Sequence, residues 1–282
     1  MSTASRVFMA VHAHPDDECL MTGGILARYT AEGARSVLVT CTDGAVGEIA
    51  DPSLATPENL AEVRARELEE SVRILGVSRL ATLGYRDSGM AGTPDNDNPA
   101  CFKQADFDGA VEKVVRLVRV ERPRLIVTYD ENGGYGHPDH IRAHQVAVAA
   151  FDAAADPSRF PEAGRPWQAD RLVYAVIPRS AFERMGEQMR AAGIEMPTDE
   201  RNEAERLRFG VDDERVTTRV DVSQYVSTKF ESIQAHKTQL GTMDFLLRLP
   251  QSMLDEMFSH ETFQIVKGPT AGAETDLFAG LD

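Results

Sequence analysis

Residues 6–20 read "RVFMAVHAHPDDECL". Five consecutive apolar residues, Val7 to Val11, run almost directly into two histidines, two aspartates and a glutamate. Such a run is buried on both faces, as in a parallel sheet covered by helices, while the charged groups at its end must be solvated, paired or bound. The stretch predicts a central strand near Arg6 to Ala13. It leaves three readings of the polar end: a turn, a salt-bridge cluster or a metal site.

Outward from this strand, further Val/Ile/Leu runs alternate with amphipathic segments, the pattern of a Rossmann-like, mostly parallel sheet flanked by helices. A helix near Leu20 to Glu32, stopped by Gly33, leads to a strand near Ser36 to Thr42. A second helix opens at Pro57 and closes at Gly76, with Leu60, Val63, Leu68, Val72 and Leu75 near helical spacing. A short strand at Arg79 to Leu83 comes next, and then "DSGMAGTPDNDNP" (Asp87 to Pro99), a turn-rich loop read as too polar to pack. A helix over Asp106 to Arg119, the strand "RLIVTYD" (Arg124 to Asp130), a glycine-rich turn and a helix near Pro138 to Ala154 complete the repeat. "DPSRFPEAGRP" (Asp156 to Pro166) reads as an inserted surface loop, and "RLVYAVIP" (Arg171 to Pro178) as a further strand of the same sheet. Beyond it, helices near Arg179 to Ala192 and Ser223 to Gln239, and a strand from Arg215, form a C-terminal α/β elaboration. With no linker in view, the expectation is one domain over residues 1–282, with a core of about 6–178 and an elaboration of about 179–282.

The 282 residues include 42% hydrophobic and 27% charged side chains, which excludes disordered and fibrous classes. A formal net charge of -15 and the lack of any basic tract argue against a nucleic-acid partner. Three cysteines, Cys19, Cys41 and Cys101, fit reduced, buried thiols. No apolar run approaches the ~20 residues needed to span a bilayer and no signal peptide is visible, so the expectation is a soluble, cytoplasmic protein without membrane insertion. A homo-oligomer stays open.

The second informative stretch is "YDENGGYGHPDH" (Tyr129 to His140), which also comes after a buried-looking strand. The tripeptide His-Pro-Asp thus occurs twice, at His14-Pro15-Asp16 and His137-Pro138-Asp139. In open parallel sheets ligands bind beyond the carboxyl ends of strands where the strand order reverses, and a 3-2-1-4-5 order would bring these two clusters face to face. Catalytic zinc takes three protein ligands from His and carboxylate and keeps one position open, so His14, Asp17 and His140 form a candidate set. Each cluster alone is compatible with a plain helix start, in which Asp caps first-turn amides and Pro sets the backbone. Two of them at adjacent strand ends favour a site.

"AHPDDE", "RARELEESVRILGV", "GYRDSGM", "TYDENGGYGHPDH" and, more weakly, "ETDLFAGL" resemble the N-acetylglucosaminyl-phosphatidylinositol de-N-acetylase-like (LmbE-like) family. Within it they are most similar to the deacetylase and the conjugate amidase of mycothiol metabolism. The resemblance runs from about Arg6 to Phe151. It implies a Rossmann-like fold and a single divalent ion, zinc or alternatively ferrous or another ion, held by His14, Asp17 and His140. It further implies Asp16 as general base, His137 as oxyanion stabiliser or acid, Asp139 as the carboxylate that orients His137, and Tyr135 as a mobile oxyanion donor. Arg66 matches an arginine directed at the distal part of the substrate, Asp87 a carboxylate receiving sugar hydroxyls, and Glu48 a further group of that kind. His144, one helical turn past His140, is expected to support the site or lie at the surface, and Glu18 to pair or cap.

The function expected is zinc-dependent hydrolysis of an amide on an N-acylated glucosamine, foremost deacetylation of N-acetylglucosaminyl-inositol. The alternatives are mycothiol S-conjugate amidase and deacetylase of another N-acetyl sugar or glycosylated natural product. Cys19-Leu20-Met21-Thr22 stands where the amidase carries a lysine. A nicotinamide-binding module is disfavoured because "HPDDECLMTGG" lacks Gly-x-Gly-x-x-Gly, and a serine hydrolase because no Gly-x-Ser-x-Gly occurs. A metal-binding protein without catalysis is countered by the intact Asp16.

Overall fold

The computed structural model describes residues 6–191, 193, 210–241, 244–270 and 274–281. β1 (Val7–His12) is buried at every position, as its uninterrupted apolar run requires. It pairs in parallel with β2 (Arg35–Thr42) on one side and β4 (Leu125–Tyr129) on the other, and β3 (Arg79–Tyr85) and β5 (Arg171–Ala175) extend the sheet outward. The full order is β3-β2-β1-β4-β5-β7-β6, with β6 (Thr218–Asp221) and β7 (His260–Lys267) joining antiparallel. The 3-2-1-4-5 core is the expected one, and the reversal falls between β1 and β4.

α4 (Phe107–Glu121) and α5 (Pro138–Ala155) cover one face through Val111, Val114, Val118, Val146 and Ala150. On the other face, α2 (Gly23–Ala31) packs Ile25, Leu26 and Tyr29 with Phe8, Val127 and Phe263. Truncating a fully buried ring such as Phe8 would cost about 3–5 kcal/mol. α3 (Leu60–Leu75) ends at Gly76, whose φ of 71° is the left-handed cap a glycine supplies most readily.

Three local expectations change. The single helix over Leu20 to Glu32 is two, α1 (Asp17–Met21) and α2, broken at Thr22, where the Thr22 hydroxyl bonds His12 Nε2 at 2.8 Å and Glu261 accepts the Gly24 and Ile25 amides at 2.7 and 2.9 Å. The loop 87–99 is not too polar to pack: Asp87, Ser88 and Asn96 are buried, and Asn96 Nδ2 donates to Ser88 O at 2.6 Å and Met90 O at 3.0 Å. Short 3-10 turns flank α7 (Val226–Ala235) in place of one helix over Ser223 to Gln239, and α8 (Gln251–Phe258) leads into β7, a strand beyond those expected. The end of the helix expected at Ala192 lies outside the described residues; α6 is assigned to Arg179–Ala191.

The "ETDLFAGL" segment closes the end of the sheet away from the site. Fully buried Arg171, at the start of β5, pairs with Glu274 at 3.0 Å and donates to Leu277 O and Ala279 O, while Leu277, Phe278 and Leu281 enter the core. No helix among the described residues is long and apolar enough to cross a membrane.

Candidate active site

β1 and β4 deliver the two His-Pro-Asp turns to the same spot. His14 Nδ1 lies 3.1 Å from His140 Nε2, Asp17 Oδ1 is 3.3 Å from His140 Nε2, and Asp17 Oδ2 is 3.4 Å from His14 Nδ1. Two nitrogen ligands held ~2.1 Å from a tetrahedral zinc stand about 3.4 Å apart, so this buried set has the spacing of a ligand triad. Two overlapping groups are also close enough to share an ion, His14 with His137 and His140, and His14 with Asp87 and Asp139. Both contain His14, whereas a third close group, Glu18 with Cys19 and His236, does not.

The supporting contacts favour Asp17 in the set. Its Oδ2 accepts from the His14 amide at 2.7 Å and from the Tyr129 hydroxyl at 2.6 Å, which fixes the carboxylate before any ion arrives. His140 Nδ1 faces Gly133 O at 3.0 Å, a contact that places its proton on Nδ1 and leaves Nε2 a lone pair for a metal. Burial penalises the charge of Asp17, yet His140 and His14 outweigh that cost and hold its carboxyl well below the usual range. Burial moves His140 down to about 4, so it is neutral, the state a ligand needs. Burial opposes protonation of His14 too, but Asp139, Asp17 and Asp87 prevail and raise its pKa well above the usual value. Three carboxylates thus favour positive charge at one point, and a divalent ion supplies it as a proton does.

Asp16 has φ 122° and ψ -26°, a left-handed backbone rarely adopted by a residue with a side chain. Its carboxyl pairs with Arg64 at 3.1 Å. Burial nevertheless lifts its pKa to about 6, with Arg64 opposing. That is a value suited to taking up and returning a proton near neutrality.

The second turn is built differently. Pro138 occupies the first turn of α5, where its missing N–H costs nothing, and His137 caps the helix by accepting the Asp139 amide on Nδ1 at 3.1 Å. Burial and the neighbouring His14 push His137 down to about 3, so the ring is neutral, and with Nδ1 accepting, the proton must sit on Nε2. The Asp139 carboxylate does not orient His137, contrary to expectation. It is taken by the Ser88 amide at 2.8 Å, the Ser88 hydroxyl and His14 Nε2 at 3.3 Å, so only its backbone reaches His137. Tyr135 is 41% exposed and edge-on to His140 at 4.9 Å between ring centres. Of the glycines beside it, Gly133 is the crowded one: a Cβ there would lie 2.5 Å from His140 Cβ, whereas Gly134 and Gly136 face open space.

Arg66 is exposed on the outer face of α3, where it lines a hollow of about 570 Å³ with Glu70, Arg73 and Lys237, and the structure does not bring it to the site. Arg64 is there instead, buried, donating to Gly44 O at 2.9 Å and to Pro15 O besides pairing with Asp16. Helical phase carries that signal, since Leu60, Arg64, Leu68 and Leu75 share one face. Asp87 is buried beside the ligands, its Oδ1 3.6 Å from His14 Nε2 and accepting the Gly89 amide at 2.8 Å. Glu48 is exposed, and its backbone carbonyl receives Gln239 Nε2 at 2.9 Å. His144 is buried with Nδ1 2.9 Å from Tyr129 O, a brace for the end of β4. Cys19 Sγ donates to Asp16 O at 2.9 Å, and burial pushes its thiol up, so it is inert. Sequence reasoning missed Tyr129 and Ser88, which orient Asp17 and Asp139 across long stretches of chain.

Residues 9–151 match the family model described as GlcNAc-PI de-N-acetylase. The 1D-myo-inositol 2-acetamido-2-deoxy-alpha-D-glucopyranoside deacetylase 1 of Catenulispora acidiphila is 44% identical over 99% of this chain and 90% of its own. The deacetylase of the same name, without the numeral, from Geodermatophilus obscurus is 42% identical over 99% of each chain. Among solved structures, the N,N'-diacetylchitobiose deacetylase of Pyrococcus horikoshii superposes with a TM-score of 0.63 at 19% identity, over 93% of this chain and 84% of that one, a likeness of fold. The chain therefore belongs to the GlcNAc-PI de-N-acetylase family, whose deacetylases are hydrolases acting on amides.

Proposed function

We propose that this chain removes the acetyl group from N-acetylglucosaminyl-inositol, releasing acetate and the free amine. The observation that carries the reading is the convergence of His14, Asp17 and His140 from two strand ends beside Asp16 and His137. The activity in the names of relatives 42–44% identical over nearly the whole chain supports the same substrate. His14, Asp17 and His140 would hold one divalent ion, proposed to be zinc, which supplies Lewis-acid polarisation of the acetamide carbonyl and acidifies water.

The chain's own groups have these roles. Asp16 takes the proton of the attacking water and later passes one to the departing sugar amine, so protons balance over the cycle. His137 donates from Nε2 to the oxygen that becomes negative, and remaining neutral throughout suits a donor better than a proton source. Tyr135, at the exposed rim, offers a second hydroxyl donor, and Asp87 and Glu48 offer acceptors for sugar hydroxyls. Arg64 steadies Asp16.

The test is release of amine or acetate from a panel of N-acetylglucosaminyl-inositol, simple N-acetylglucosamine compounds and mycothiol conjugates, with the purified protein's metal content measured alongside. Turnover of the inositol glycoside above the rest is expected. Turnover of conjugates alone would replace the reading with an amidase, and of the simple sugars alone with a less selective deacetylase.

A further inference from the structure

The strained turn at Asp16 is clamped from a part of the chain outside residues 9–151. Its amide donates to Glu18 Oε2 at 2.9 Å, and its carbonyl receives Cys19 Sγ and the amides of Cys19 and Leu20. Glu18 is fully buried, shut off from bulk solvent; its other oxygen, Oε1, accepts from Ser71 Oγ on α3 and lies 2.7 Å from His236 Nε2. His236 is itself fully buried, at the end of α7. The turn that carries it is latched twice. The Thr238 amide and hydroxyl donate to the two oxygens of buried Glu67 at 2.9 and 2.6 Å, and the Ala50 amide donates to Thr238 O at 2.8 Å.

A non-glycine residue at φ 122° persists only where its surroundings over-determine it. Removing one hydrogen bond from Glu18 frees a buried carboxylate to turn, and the Asp16 amide is the contact that then loosens. Because that backbone sets the direction of the Asp16 carboxyl, a small rotation at the turn misplaces the proton acceptor without touching substrate or ion ligands.

We propose that His236 is a positioning residue for Asp16, acting through Glu18: the C-terminal elaboration aims the proton acceptor of the N-terminal motif. The inference rests on the reading of Asp16 as base in the proposed hydrolysis. The variants are His236→Phe, which keeps the ring volume and removes the donor, and His236→Gln, which restores an N–H at similar reach.

In the metal-loaded enzyme His236→Phe should lower kcat about 10- to 100-fold with KM and metal content unchanged, and His236→Gln should recover most of it. In chelated protein, hydrogen exchange at the Asp16 amide should quicken about tenfold or more in His236→Phe and stay near wild type in His236→Gln. Wild-type exchange and kcat in His236→Phe would overturn the proposal. So would equal losses in both variants accompanied by a fall in melting temperature, since packing alone would then explain them. If wild type turned over no member of the sugar panel, the functional reading would fail while the exchange measurement still decided the clamp.

Discussion

The tripeptide His-Pro-Asp folds two ways at the ends of neighbouring strands. In the first, His14 turns inward among carboxylates and Asp16 takes a left-handed backbone held by Glu18 and Arg64. In the second, the same three residues open an 18-residue helix, with His137 as its cap, Pro138 in its first turn and Asp139 bonded to Ser88 and His14. Identical residues therefore exchange roles. The proton acceptor we propose is the aspartate of the first turn, the neutral donor we propose is the histidine of the second, and the backbone beyond each proline sets them apart. A helix gives His137 an amide to accept and so fixes its proton on Nε2. A broken, five-residue helix beyond Asp16 leaves that turn dependent on contacts from elsewhere in the chain.

Breaking the joint between the turns should have the largest effect. His140→Ala is expected to weaken divalent-ion binding by more than ~10²-fold and abolish turnover, read by elemental analysis and amine release. A variant that kept its ion would remove the second turn from the ligand set.

Asp16→Asn tests the first turn's role. It should keep the ion and lose about 10²- to 10⁴-fold in kcat. Because burial lifts Asp16 from 3.8 to about 6, the folded chain binds this proton more tightly than the unfolded one, and ionisation costs stability as pH rises through that window. In chelated protein the melting temperature of Asp16→Asn should therefore gain on wild type between pH 3.8 and about 6 and then level off. A constant difference across the window would show that Asp16 titrates at an ordinary value. In the loaded enzyme the nearby cation favours the carboxylate, so activity should fall on the acid side at a pH below about 6.

The second turn separates donor from brace. His137→Ala should cost about 10²- to 10³-fold in kcat with the ion retained; loss of the ion instead would place His137 among the ligands in the group it forms with His14 and His140. Asp139→Asn should act chiefly on the ion, about 10- to 100-fold in affinity, because its carboxylate faces His14. The smallest effect belongs to Arg66→Ala, within about twofold in kcat/KM as for other exposed surface changes, whereas Arg64→Ala should impair turnover severely.

Much of the molecule is legible in its residues alone. The apolar run of Val7 to Val11 specifies a central strand, Gly76 stops α3, and two acidic-histidine clusters after buried strands mark a site at a strand-order reversal. Arg66, expected at the substrate, lies exposed on α3, whereas Arg64, four residues past Leu60 and on its buried face, reaches Asp16, a placement that helical phase already carries. The polarity of residues 87–99 misled for a different reason: Asp87, Ser88 and Asn96 are satisfied by one another's backbone and by the site, which composition does not register. β7 was missed although Glu261, Phe263 and Ile265 alternate as a strand should, because a buried glutamate heads the apolar face and finds its partners on α2 and Lys229.

The amino-acid sequence by itself determined the layered fold, the strand ends where the two His-Pro-Asp turns sit and the proposed donor set His14, Asp17 and His140, because apolar periodicity and turn chemistry act over a few residues. Only the tertiary structure decided how those donors are held. Tyr129 on Asp17, Asp139 on His14, Arg64 on Asp16 and His236 on Glu18 join segments from 48 to 218 residues apart. These pairings arise from the register of β1 against β4 and from the packing of α3 and α7 over the first turn, where burial leaves each polar group to find its partner inside the protein.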